Sequence, residues 1–231
     1  MRNADPYAVR WLRATAAVFL KDWHSELRTR YAISALGMFV ITTISMILFS
    51  LAGEQASPEV LAGMLWVVIF FAAMSGLSRT FVMEEERGTA MTLQMQSPAS
   101  AVYFGKLLFN LVLGAGLTVL TVVLYSILID GFTIRTPGVF VAGVALGSIG
   151  LAAASTIIAA IIARANTKGT LYPVLSFPIL LPLLMTAIRT TRMASEGTSW
   201  GDAGGEFQVL ISYIVVVITT SYLLFEYIWK D

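Results

Sequence analysis

The sequence has no cysteine and one histidine, His24. Without cysteine there is no disulfide and no thiolate metal site, and cysteine usage says nothing about compartment. A single histidine excludes a clustered-histidine metal centre. Placed on a basic helix face, His24 reads as a solvated side chain rather than a haem or metal ligand. Charge is also scarce: only 13% of residues are charged, about half the share usual in soluble domains. The formal net charge of +1 implies no polyanionic partner such as nucleic acid. The phosphate-binding pattern G-x-x-x-x-G-K-[ST] fails, because Gly105-Lys106 is followed by Leu107 and Ser100 stands where the first glycine belongs. No Ser-His-Asp set and no metal motif is present. The expectation is therefore a chain with no catalytic residue, no metal ligand and no cofactor of its own.

What is present is apolar: 57% of the 231 residues are hydrophobic. A soluble fold of this size cannot hide that much apolar surface, so lipid must be much of its solvent. A spanning helix needs about 20 mostly apolar residues. Six stretches free of Asp, Glu, Lys, Arg and His qualify: Tyr31–Gly53, Val60–Ser78, Leu107–Ile129, Thr136–Ala163, Gly169–Ile188 and Phe207–Phe225. Backbone groups in lipid must bond within their own segment, which makes these helices, and the alternation of a membrane barrel is absent. The predicted fold is all-α and polytopic, with six transmembrane helices. An even span count puts both termini on one side. Twelve basic residues flank that side and three, Arg135, Arg189 and Arg192, the other. The positive-inside bias makes both termini cytoplasmic.

Residues 1–30 read as a separate element before the transmembrane domain of residues 31–231. The short apolar run Ala14–Leu20 is followed by KDWHSELRTR where a signal-peptide cleavage site would stand, so a mature segment is expected. At about 100° per residue, Ala8, Leu12, Ala16, Phe19, Trp23 and Leu27 share one face, and Arg10, Arg13, Lys21, His24 and Arg28 the opposite one. This predicts a basic amphipathic helix lying in the plane of an anionic membrane surface.

The long charged segment Arg79–Lys106 separates the second and third spans. Arg79–Glu86 is expected to carry the second helix out of the membrane, with Gly88 breaking it. Thr89 is placed to cap a short helix over Ala90–Gln96 by accepting from its free amides. Ser97-Pro98 should end that helix, since the residue before proline avoids the helical region. Two readings compete: a solvated turn, or a docking surface made of Met91, Leu93 and Met95 with a rim at Glu84, Glu85, Glu86 and Arg87. Turns between antiparallel helices usually take about 2–8 residues; the length of this segment and its soft methionines favour docking. No ionisable residue falls inside the six windows, which disfavours an ion-coupled transporter. Any energy must then come from a separate motor. Pro173, Pro178 and Pro182 predict a kinked fifth span. Gly143-x-x-x-Gly147 offers close helix packing, with a homodimer seam left open. The loop Arg189–Glu206 is expected outside.

The order of parts resembles an ABC-2 type permease, on Glu85, Arg87, Gly88, Thr89, Leu93, Ser97, Pro98, Gly105 and Lys106 of the loop. KDWHSELRTR, VYFGKLLFN and KGTLYPVLSFPILLP are similar to the CcmB family, the membrane subunit of the so-called haem exporter of bacterial cytochrome c maturation. That resemblance implies residence in the bacterial inner membrane. It also implies an ATP-hydrolysing CcmA-like partner, with two copies of each in the usual arrangement, a haem-handling CcmC-like subunit and a small single-span CcmD-like subunit. In the family, ATP hydrolysis on the partner is linked to release of a haem-loaded periplasmic chaperone, and the complex handles the haem. No span here holds a cation for haem propionates or a His or Cys for iron, so a lever is expected rather than a conduit. Met1 to roughly Val18 extends beyond what the family leads one to expect. A generic ABC-2 exporter of a lipid, drug or polysaccharide, and a scaffold without a motor, are the alternatives.

Overall fold

The computed structural model describes residues 7–51, 53–54, 56–77, 79–86, 88–164 and 171–230. Among them the regular structure is all α-helix, without strands: α1 (Tyr7–Thr29), α2 (Tyr31–Leu51), α3 (Pro58–Leu77), α4 (Arg79–Glu86), α5 (Ala90–Gln96), α6 (Ala99–Leu128), α7 (Pro137–Arg164), α8 (Leu171–Glu196) and α9 (Gly204–Lys230). Local chemistry sets the boundaries. Pro58 and Pro137 open α3 and α7 at the first helical position, where no amide bond is lost. Ser57 accepts from the Val60 amide at 3.4 Å. At Gly197 (φ +89°) α8 stops, with the Thr198 amide returning to the Met193 carbonyl at 3.0 Å, a closure that needs a left-handed residue.

Among the described residues five helices are long and apolar enough to cross a membrane: α2, α3 with α4, α6, α7 and α9. The sixth expected span is not among them. Its apolar stretch begins at Gly169 and Thr170, outside the described residues. Its far turns carry Arg189 and Arg192. The helix nevertheless runs antiparallel to α3: Phe177 meets Phe70, while Thr191 accepts from the Trp66 indole at 2.8 Å. Pro178 and Pro182 lie inside α8 and Pro173 in its first turn. The Ile179 carbonyl, in the turn before Pro182, accepts from Tyr213 Oη of α9 at 3.0 Å, one way neighbouring helices satisfy a backbone disturbed by proline.

The core is built by α3, α6, α7 and α8, whereas α2 and α9 keep most of their surface outside it. Small residues on α7 let the layers close. A Cβ on Gly143 would stand 2.5 Å from Thr190, and one on Gly147 would stand 2.3 Å from the Trp66 ring. The Gly143–Gly147 stripe is thus filled by α8 and α3 of the same chain. The close helix packing expected of that spacing is made within one chain.

Candidate functional site

The segment between α3 and α6 folds as two short helices at the end of the bundle that also holds α1 and the end of α9. The α4 helix continues the direction of α3 and closes at Gly88 (φ +66°). The Gly88 amide bonds Glu85 O at 3.1 Å and the Thr89 amide bonds Glu84 O at 3.0 Å. This paired closure uses the left-handed backbone that glycine reaches without strain. Thr89 does precede α5, but its hydroxyl does not cap it. It donates instead to Glu84 Oε2 at 2.5 Å. A nearby carboxylate is a stronger acceptor than the hydroxyl is for a helix amide. Ser97 is extended and ends α5, and Pro98 leads directly into α6.

The three consecutive glutamates separate by direction. Successive helical residues point about 100° apart, so only one can face inward. Glu84 is that one, in a stripe with Leu77, Thr80 and Phe81, all buried. Glu85 is half-buried and Glu86 exposed. Arg87 lies outside the described residues. Glu84 Oε1 accepts from Lys106 Nζ at 2.7 Å and also from Lys21. Lys106, only 1% exposed, donates further to the Thr80 carbonyl at 2.9 Å, ion-pairs with Asp22 Oδ2 at 2.9 Å, and lies 5.6 Å from the centre of the Phe81 ring. Lys21 pairs with Asp22 at 3.4 Å. Two ammonium groups and two carboxylates from α1, α4 and α6 thus neutralise one another, with Lys21 at the solvent edge and the rest buried or nearly so, the condition under which buried charge is tolerable. The polar contacts continue inward. Thr80 Oγ1 donates to Asn110 Oδ1 at 2.7 Å, and Asn110 Nδ2 donates to Thr156 Oγ1 of α7 at 2.9 Å.

The outer side of α5 differs. Met91 and Met95 are 66% and 79% exposed, one turn apart as their spacing predicts. Leu93 is half-buried against the core and Ala90 is buried. Gly88, Thr89 and Pro98 are exposed, and Ser97 is half-buried. Gln94 Nε2 donates to the Trp229 carbonyl of α9 at 2.6 Å, and Phe81, Phe225 and Trp229 pack ring against ring. The expected rim and docking residues are therefore split. Glu84 serves the inside, while Glu86, Met91 and Met95 face out.

Sequence reasoning missed Lys21, Asp22, Thr80, Asn110 and Thr156 as members of this cluster. Charge alone puts Lys106 at a boundary outside the third span, yet α6 begins at Ala99 and carries it buried within the helix. His24 is exposed, with Nδ1 2.7 Å from the Leu20 carbonyl. Among the described residues no group of three His, Cys, Asp or Glu could hold a metal.

No curated protein matches the sequence. A family model described as CcmB protein matches residues 13–225. The matched region holds the multi-pass helical body and every residue of the charged cluster. The chain belongs to the CcmB family, the membrane permease component of an ABC-type haem exporter for cytochrome c maturation, which associates with an ABC ATPase and other Ccm components.

Proposed function

We propose that this chain is the membrane lever of an ATP-driven complex, taking force from a separate ATPase at α4–α5 and passing it into the bundle. The observation that carries this reading is the two-sided character of the segment. Met91 and Met95 are bare on the outside, while Glu84 and Thr89 are tied to Lys106, and through Thr80 and Asn110 to α7. An adaptable exposed face with a braced back is what a docking element requires. ATP binds the CcmA-like partner and not this chain; haem is handled by the complex with CcmC-like and CcmD-like subunits. The chain acts on delivery of haem or release of its periplasmic chaperone rather than as a haem channel. The only buried lysine among the described residues, Lys106, is held by carboxylates and is not available to a propionate. In this reading α8 is the sixth span, since it lies along α3 and α7 through the bundle. Both termini face the cytoplasm of a bacterial inner membrane, with Pro173, Pro178 and Pro182 shaping α8.

Met91→Glu with Met95→Glu tests the assignment. Neither residue supports the core, so the fold should persist while co-purification of the ATPase from membranes falls about tenfold or more, as for loss of a docking anchor. Undiminished recovery of the ATPase would remove α5 as the docking site.

A further inference from the structure

The helix α1 has a third face that its amphipathic pattern conceals. Trp11, Thr15, Val18, Asp22 and Glu26 lie between the apolar and the basic faces, about 90° from the centre of the first and about 135° from that of the second. This face meets protein. Trp11 Nε1 donates to Ser100 Oγ at 2.9 Å. Val18 is buried against Gly105, where an added Cβ would stand 2.7 Å from it and 2.9 Å from the Thr15 carbonyl. Asp22 pairs with Lys106, and neighbouring Lys21 reaches Glu84. Glu26, buried, accepts from the Ile33 amide in the first turn of α2 at 3.1 Å. A single residue, Arg30 in left-handed conformation (φ +51°), turns α1 into α2. The corner is therefore held by a carboxylate on a helix N-terminus, a favourable placement. Beyond it, α2 is among the least buried of the long helices, with Met38, Met46 and Phe49 bare.

We infer that Asp22 and Lys21 are positioning residues that lock α1 to the docking segment through Lys106 and Glu84, so that a displacement of α4–α5 is delivered by α1 and the Arg30 corner to α2. The inference rests on the docking reading and names its output. The link from α1 to α4 is made by charge, Lys21 and Asp22 meeting Glu84 and Lys106. The core helices α6 and α7, tied to the same cluster through Lys106 and Asn110, brace it by their close packing, whereas little core contact restrains α2.

The chain has no cysteine of its own, so pairs of spin labels can be placed cleanly. One pair joins α1 to α5 at exposed positions, His24→Cys with Gln96→Cys. The other joins α2 to α7, Met46→Cys with Val141→Cys. Distances are measured in lipid nanodiscs, for the chain alone and in complex with its ATPase, without nucleotide and with ATP. The α1–α5 distance should be narrow and the same in both nucleotide states, while the α2–α7 distance shifts. Asp22→Asn should about double the α1–α5 width, in the manner of a local opening, and abolish the α2–α7 shift; Asp22→Glu should restore both. Lys21→Gln, at a half-exposed site, should do the same more weakly and serves if Asp22→Asn does not fold. An α1–α5 distance that changes between nucleotide states, or an Asp22→Asn chain indistinguishable from the parent, overturns the inference. Failure of the docking reading is seen separately, as an ATPase that binds despite Met91→Glu with Met95→Glu. The α1–α5 width in the chain alone does not depend on it.

Discussion

At one end of the bundle Lys106 and Glu84 sit almost wholly buried, with Lys106 at 2.7 and 2.9 Å from carboxylates of two other helices. At the opposite end Arg189 and Arg192 also face carboxylates, but loosely. Arg189 reaches Glu206 at 3.8 Å with its side chain 66% exposed, and Arg192 reaches Glu59 at 3.6 Å and Glu196 at 3.4 Å. Each end joins three helices by ion pairs. They differ in solvent. Exposed pairs contribute about 0–1 kcal/mol, whereas removing one partner of a buried pair costs about 3–5 kcal/mol because the other charge is stranded. Burial makes the first end intolerant of displacement. It holds α1, α4 and α6 in one arrangement by charge, while the ion pairs of the second end add little to what packing around Thr190 and Thr191 fixes there. A force entering at α5 would therefore meet a charge-braced foot.

The strongest way to break this contrast is Lys106→Met. Asp22 and Glu84 would face each other with only half-exposed Lys21 between them, and the loss should be about 3–5 kcal/mol. Thermal unfolding in detergent would register a larger drop than for either the glycine or the arginine variants below. Adding Glu84→Leu removes the stranded charge and leaves Asp22 with Lys21. The double variant should then recover a substantial part of the loss. If the single variant unfolds like the parent, the cluster is not a stiff element.

A second, smaller effect separates packing from charge. Gly147→Ala would drive a methyl into the Trp66 ring, which cannot swing away without losing its bond to Thr191. The cost should be about 1–3 kcal/mol. Gly116→Ala on α6 meets no neighbouring atom within 4 Å; it should be neutral or stabilise by up to about 1 kcal/mol, the difference in helix propensity. Parallel melts of the two variants check whether the bundle is as tightly closed on α7 as its glycines require.

Much of the bundle was legible because lipid leaves apolar runs no alternative to helix. Five of the six stretches coincide with helices long and apolar enough to cross. Their ends were less legible. The apolar window of the third span was drawn from Leu107, whereas α6 starts at Ala99 straight after Pro98 and carries Gly105 and Lys106 into it, as turn chemistry led one to expect. The docking segment's short helix, its methionines and its Ser97-Pro98 stop followed from turn chemistry. The cluster behind it did not, since counting Glu84 with Glu85 and Glu86 as one acidic run ignored that each points a different way. The signal was there. Leu77, Thr80, Phe81 and Glu84 form a single helical stripe, and Asp22 is an acid in a helix otherwise rich in arginine and lysine. The third face of α1 was hidden for a related reason. Its Thr15, Asp22 and Glu26 look solvent-facing until Lys106 and the first turn of α2 are brought against them.

The contrast is sharpened last by the smallest change, Arg192→Ala. Arg192 joins α8 to Glu59 of α3 and to Glu196 one turn on, with more than a third of its side chain exposed. Water can replace either partner, and both carboxylates remain solvated when the guanidinium is gone. The expected loss is about 0–1 kcal/mol and should shrink further as salt rises, because exposed charges are screened within about 10 Å at 0.1 M ionic strength. Melting curves at low and high salt therefore discriminate the ends directly. Lys106→Met should show a loss that salt scarcely alters, and Arg192→Ala one that salt erases. If Arg192→Ala instead costs as much as Lys106→Met at both ionic strengths, the far ion pairs are held as firmly as the near ones, and solvent is not what distinguishes the two ends.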